Sequence, residues 1–196
     1  MFNIGVLAST NGTDLQAIID EIKAGKMKGI NLSVVIGNKK NAFALKRAKD
    51  QGYKAIFVNP KNRSREEFDV KLVELFKKYD VDLVVLIGYM RILTPLFVKA
   101  FNRKIINVHP ALIPKFSGPG FFGKNVHEAV LKSGEKETGC TIHFVEDKVD
   151  GGEIIVQESV KVYNDDTPDS LKKRVQNLEK RLYPEVIRRF ARGEIV

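Results

Sequence analysis

The sequence is poor in the residues that build covalent or metal-stapled sites. It has one cysteine, Cys140, no tryptophan and three histidines, His109, His127 and His143. A lone thiol excludes an internal disulfide and a cysteine-rich metal centre. The histidines show no ligand spacing, so no metal is expected. Cys140 itself reads as a small apolar residue on a core strand. No apolar run is long enough to cross a bilayer, and Met1-Phe2-Asn3 passes straight into a strand pattern without a signal-like stretch. A cytoplasmic chain with no membrane partner is expected. Acidic residues are also in deficit, with 33 Lys+Arg against 24 Asp+Glu and a net charge of +9. The excess sits in Lys39-Lys40, Lys77-Lys78, Lys172-Lys173-Arg174, Lys180-Arg181 and Arg188-Arg189. These groups are dispersed and lack interleaved aromatics, which describes solvated helix faces rather than a nucleic-acid track. The balance still favours small anionic partners such as phosphate esters.

The chain does have enough apolar content for one filled core: 196 residues, 43% of them hydrophobic. That suggests one domain over 1–196. Phe2–Ala8 is a near-continuous apolar run, as in a strand buried on both faces of a parallel sheet. After it, Leu15, Ala17, Ile18, Ile19 and Ile22 recur at helical spacing, and Thr13 with Gln16 fits a capping box. Further strands are predicted at 30–37, 55–58 and 81–88. Asn41 should cap a helix ending near Gln51, and Ser64 with Glu67 should box the start of another ending near Tyr79. This alternation predicts right-handed βαβ units, hence an α/β, Rossmann-like, mostly parallel twisted sheet with helices on both faces. Residues 154–162 alternate in polarity and predict an antiparallel carboxyl-terminal strand. Asp165-Asp166-Thr167-Pro168 caps a last helix, which Pro184 should kink or break.

Three stretches carry chemistry. In Ile105-Ile106-Asn107-Val108-His109-Pro110, the residues Asn107 and His109 stand two apart on one strand face, and Pro110 ends the strand. An amide that donates without titrating and an imidazole that exchanges protons near neutrality suit addition to a carbonyl carbon. Downstream, Gly139-Cys140-Thr141-Ile142-His143-Phe144-Val145 reads as a strand followed by Glu146-Asp147-Lys148-Val149-Asp150-Gly151-Gly152. An acid in backbone that loose can approach a ligand or partner a histidine. Ser9-Thr10-Asn11-Gly12-Thr13-Asp14 sets a glycine turn before a helix, whose free N–H groups form an anion site. His127 reads as a surface or capping residue. Residues 113–123, with several glycines and prolines, should form an irregular loop over the site.

Asn-Val-His-Pro-Ala-Leu-Ile-Pro, Gly-Cys-Thr-Ile-His-Phe-Val and Val-Asp-Gly-Gly, in this order, resemble the folate-dependent formyltransferases. The resemblance runs from Ile4 to the Tyr183-Pro184 region. It implies that Asn107, His109 and Asp150 form the catalytic trio, with Asp150 raising the pKa of His109. It implies 10-formyltetrahydrofolate as co-substrate and glycinamide ribonucleotide as acceptor. Gly12, Thr13 and Asp14 would hold the acceptor's phosphate; the family commonly has Asn where this chain has Asp14, so contact there would run through the backbone. Glu179 would hold the glycinamide portion. Leu86, Met90, Arg91, Ile92 and Leu93 would wall the pterin, with Arg65, Asn107, Val145, Asp147 and Asp150 also at the folate site. His143 and Thr141 would act as supporting hydrogen-bond partners. Residues 1–104 then form a phosphate-binding half, and 105–196 a catalytic and folate-binding half. Relatives that formylate methionyl-tRNA or hydrolyse formyltetrahydrofolate share the trio, and a non-catalytic nucleotide- or folate-binding module is the reading from another class. A monomer or homodimer is expected.

Overall fold

The computed structural model describes residues 1–196. Seven strands form one sheet in the order β3-β2-β1-β4-β5-β6-β7. They are β1 (Phe2–Ala8), β2 (Ile30–Gly37), β3 (Ala55–Phe57), β4 (Leu83–Ile87), β5 (Ile105–His109), β6 (Glu137–Phe144) and β7 (Ile154–Lys161). Pairings among β1 to β5 are parallel, while β6 runs antiparallel to both β5 and β7. The helices are α1 (Thr13–Lys23), α2 (Phe43–Asp50), α3 (Arg65–Lys78), α4 (Pro95–Ala100), α5 (Lys124–Ser133) and α6 (Pro168–Ala191).

Strand parity distributes the core. Ile4, Val6 and Ala8 of β1, with Leu83, Val85 and Ile87 of β4, pack toward α1, α2 and α6. Leu7, Val84, Leu86 and Ile105 face the opposite way, against Phe68, Phe76 and Phe97 of α3 and α4. Alternation of side chains along each strand requires this division. The order of the strands reverses at β1, between β2 and β4, and ligands in such sheets bind beyond the carboxyl ends of the strands at that reversal.

Several local expectations are corrected by tertiary packing. Gly12, not a side chain, caps α1 in the left-handed region at φ 66°, and no capping bond forms there. The Gln16 amide, assigned to a capping box, instead donates to Asp20 at 2.8 Å. Likewise α2 begins after Ala42 without a side-chain cap from Asn41. The box at Ser64 and Glu67 does form, and a matching one closes between Thr167 and Ser170 at the start of α6. Pro184 does not break α6, which continues to Ala191. A buried stripe of Leu182, Tyr183, Val186 and Ile187 holds the helix to the sheet on both sides of the missing N–H.

Tyr183 fastens α6 under the two strands that matter for the site. Its hydroxyl lies 2.8 Å from the carbonyl of Leu86 and 3.0 Å from that of Ile106, and its one proton is shared between them. Removing it leaves both carbonyls facing an apolar ring. Tyr183→Phe is therefore expected to lower unfolding free energy by about 1–3 kcal/mol, read as a fall in the urea midpoint at unchanged m-value.

Candidate active site

Asn107 and His109 end β5 on the same face, as the two-residue spacing requires. Asp150 reaches them from the loop after β6, with its backbone in the left-handed region at φ 52°. Such a conformation in a non-glycine residue is costly and clusters at functional sites. One carboxylate oxygen, Oδ2, accepts the Gly118 N–H at 2.9 Å and stands 3.5 Å from His109 Nδ1. The other, Oδ1, lies 3.6 Å from His143 Nε2.

Hydrogen bonds settle which atoms of these side chains are free. His143 Nδ1 is 2.7 Å from the Phe144 carbonyl, so it carries the proton there. Its Nε2 is then an acceptor, and the Asn107 amide nitrogen donates to it at 3.2 Å. This fixes the amide orientation and leaves the second N–H of Asn107 unused. His109 Nε2 is 2.7 Å from the Phe116 carbonyl, which requires an N–H on that nitrogen. The titrating atom is therefore Nδ1, the one that faces Asp150.

Electrostatics corrects one expectation. Burial outweighs the attraction of Asp150, and the pKa of His109 is lowered rather than raised. Its ring is 3% exposed, so desolvation of the imidazolium is the larger effect. Asp150 is held below its ordinary value: burial pushes it up, but the hydrogen bond it accepts from the Gly118 N–H and the charge on His109 act against that and prevail. The pair at neutral pH is a neutral imidazole beside a carboxylate.

A cavity of about 600 Å³ joins this trio to two further groups of residues. At one end lie Gly12, Thr13, Asp14 and Glu179; at the other lie Leu86, Met90, Arg91, Ile92, Leu93 and Val145. Gly88 keeps the two ends close, since a Cβ there would stand 2.2 Å from Thr10 Oγ1. Met90 and Ile92 are exposed apolar side chains on this wall. A slot so walled fits a flat heteroaromatic ring.

Two predicted contacts fall outside the wall. Arg65 and Asp147 do not line the cavity. Arg65 instead donates to the Ile92 carbonyl at 3.0 Å and steadies the slot from behind. Thr141 is buried and serves the turn after β5, donating to the Ala111 carbonyl at 2.7 Å and accepting from the Ile113 N–H at 3.2 Å. His127, read as a surface residue, is 2% exposed and lines the cavity. Gly118–Gly123, part of the loop expected over the site, lies on the wall, as do Lys172 and Gln176, which have no signal in the sequence beyond their polarity.

Asp14 and Glu179 form a buried acidic pair. Burial raises Asp14 from 3.8 to about 6, and Glu179 well above its ordinary value, each against nearby lysine charge. A carboxyl raised on folding binds more protons native than unfolded. It costs nothing below about pH 3.8 and its full amount above about pH 6. Asp14→Asn is therefore expected to stabilise the protein by about 1–3 kcal/mol at pH 7.5, with the gain vanishing toward pH 4. Urea unfolding at both pH values measures it.

A parallel sheet with its site at the strand-order reversal, and an amide, imidazole and carboxylate converging in one cavity, defines a group-transfer enzyme of the α/β class. Residues 2–187 match the family model described as formyl transferase, and the chain belongs to that family. It is 41% identical over 194 residues to phosphoribosylglycinamide formyltransferase of Escherichia coli (strain K12), covering 98% of this chain and 89% of that protein. The crystal structure of glycinamide ribonucleotide transformylase 1 from Symbiobacterium toebii superposes with a TM-score of 0.93 at 42% identity, covering 100% of this chain and 90% of that one. The chain is also 39% identical to the trifunctional purine biosynthetic protein adenosine-3 of Chironomus tentans, of which it spans 14%.

Proposed function

We infer that the protein transfers the formyl group of 10-formyltetrahydrofolate to the amine of 5'-phosphoribosylglycinamide, in purine biosynthesis. The observation that carries this reading is a single cavity holding the Asn107–His109–Asp150 cluster between an anion-binding turn and an apolar slot. In this reading the chain is one domain, with 1–104 as its phosphate-binding half and 105–196 as its catalytic and folate-binding half, except that Leu86–Leu93 of the first wall the slot and Glu179 of the second lines the phosphate end. It works in the cytoplasm on small molecules, and no helix is long and apolar enough to cross a membrane.

The residues divide the chemistry as follows. The slot at Leu86–Leu93 and Val145 takes the pterin, and main-chain groups there read its polar edge. The acceptor's amine attacks the formyl carbon, and charge develops on the former carbonyl oxygen. The free N–H of Asn107 donates to that oxygen; preorganised donors of this kind are worth about 10²–10³ in rate. Neutral His109 accepts the ammonium proton at Nδ1, and Asp150 stabilises the imidazolium so formed. The same proton then passes from Nδ1 to the departing nitrogen of the folate, and the donor's carbon–nitrogen bond breaks. No covalent enzyme intermediate arises.

The test is formyl transfer from 10-formyltetrahydrofolate to glycinamide ribonucleotide, run beside methionyl-tRNA and water as acceptors. Formylation of the ribotide alone supports the reading. Formylation of transfer RNA without the ribotide, or simple hydrolysis of the donor, overturns it.

A further inference from the structure

His127 is the one histidine for which the reaction above has no task. It lies on α5, buried, on the cavity wall, and its Nδ1 has no hydrogen-bond partner. A buried polar atom without a partner is costly and calls for an explanation. Asp14 has the same peculiarity at the start of α1, where Oδ1 is buried and unpartnered on the same wall.

The charged groups around this end of the cavity are few. Helix α5 packs on α6, which presents Lys172 to His127, and β5 presents His109. Glu179 of α6 lies between the influence of Lys172 and that of Asp14, while Lys180 acts on both acids. Burial, reinforced by Lys172 and His109, pushes the His127 ring down to about 4, so it is neutral at pH 7. Two carboxyls thus meet Lys172 on a wall meant for an anion. A phosphate monoester brings about −1.5 to −2 of charge at pH 7. The amides of the Gly12 turn contribute partial charge only. His127 is the base beside Lys172 that can add a full positive charge, by taking a proton from solvent.

We propose that His127 is a proton-taking partner of the acceptor's phosphate: the phosphoryl group sits between its ring and Lys172, against the amides of the Gly12–Asp14 turn, and the ring becomes cationic as the ribotide binds. Its Nδ1 is enclosed by protein, so the ring meets the ligand through the part of it that lines the cavity. This rests on the ribotide reading given above and adds to it the protonation step.

The chain has only three histidines, so ring-¹⁵N spectra of the intact protein are tractable. His127→Gln assigns the His127 signals by their disappearance. Spectra at pH 7 with and without saturating glycinamide ribonucleotide read the charge of the ring directly in the unaltered protein. The expected result is a neutral ring that shifts to imidazolium when the ribotide is bound. His127→Gln should raise KM for the ribotide about tenfold or more, as loss of a charged hydrogen bond does, with kcat changed less than about threefold. The KM of the parent protein should also rise with pH, and that dependence should flatten in the variant. A ring that stays neutral with ribotide bound overturns the proposal, whether or not the variant folds. If formyl transfer to the ribotide proceeds normally in that case, this inference alone fails; if the ribotide neither binds nor is formylated, the functional reading fails with it.

Discussion

Asn107→Asp is expected to reduce kcat by about 10³ while leaving the fold and the KM for both substrates nearly unchanged. The exchange is isosteric, so it opens no cavity on β5, but it deletes both N–H donors. One of them holds His143 Nε2 at 3.2 Å, and the other is free toward the cavity. A carboxylate at that place would also set negative charge against the oxygen on which charge develops. Circular dichroism and thermal unfolding establish that the variant is folded, and single-turnover formyl transfer measures the chemical step. Loss confined to KM would mean that Asn107 binds ground state and transition state equally, and its assigned part in oxyanion stabilisation would be wrong.

His143 decides whether this free donor points usefully. With Nδ1 committed to the Phe144 carbonyl, its Nε2 can only accept, and the Asn107 amide must turn its nitrogen inward. The cross-strand register places Asn107 directly opposite His143 on β6, so the antiparallel pairing itself supplies this neighbour. His143 and Thr141 stand two apart on β6, yet Thr141 is spent on the turn at Ala111 and Ile113. Two residues with equal claims by parity thus receive different work. The difference comes from what lies across the strand pair, a non-local fact.

The same distinction explains what was legible elsewhere. Buried strands are fixed by local apolar runs and helix starts by short boxes, so β1, β2 and β4 and the caps at Ser64 and Thr167 could be read directly. The trio was legible because its members sit in three-to-eight-residue motifs with a chemical logic of their own. His127 was not, because Val126 and Val130 show only that α5 has a buried face, and the packing of α5 on α6 decides that His127 shares it. Lys172, Gln176 and Glu179 are ordinary polar positions on a long amphipathic helix until α6 lies across the end of α1. The net direction of the His109 pKa is not legible for a related reason, although the upward pull of Asp150 is. A sequence shows that an acid is available, but the depth of burial that outweighs it belongs to the folded molecule.

Asp150→Asn supplies the second large effect and a check on that sign. Asn tolerates the left-handed backbone that position 150 adopts, and its side-chain oxygen can still accept the Gly118 N–H, so the loop should keep its shape. What disappears is the negative charge 3.5 Å from His109 Nδ1. The imidazolium formed during transfer loses its counter-charge, and kcat should fall by about 10²–10⁴. The pH profile separates this from a merely structural loss. Neutral His109 is the active form, so the rate rises with pH through the ring's pKa, which burial already holds below 6.5. Asp150 pulls that pKa upward, against burial, so removing its charge must move the acid limb to still lower pH. A lower plateau with the limb displaced downward is the expected profile of kcat. A limb that stays in place would restrict Asp150 to shaping the loop, and a limb displaced upward would mean that the rate-limiting proton belongs to another group.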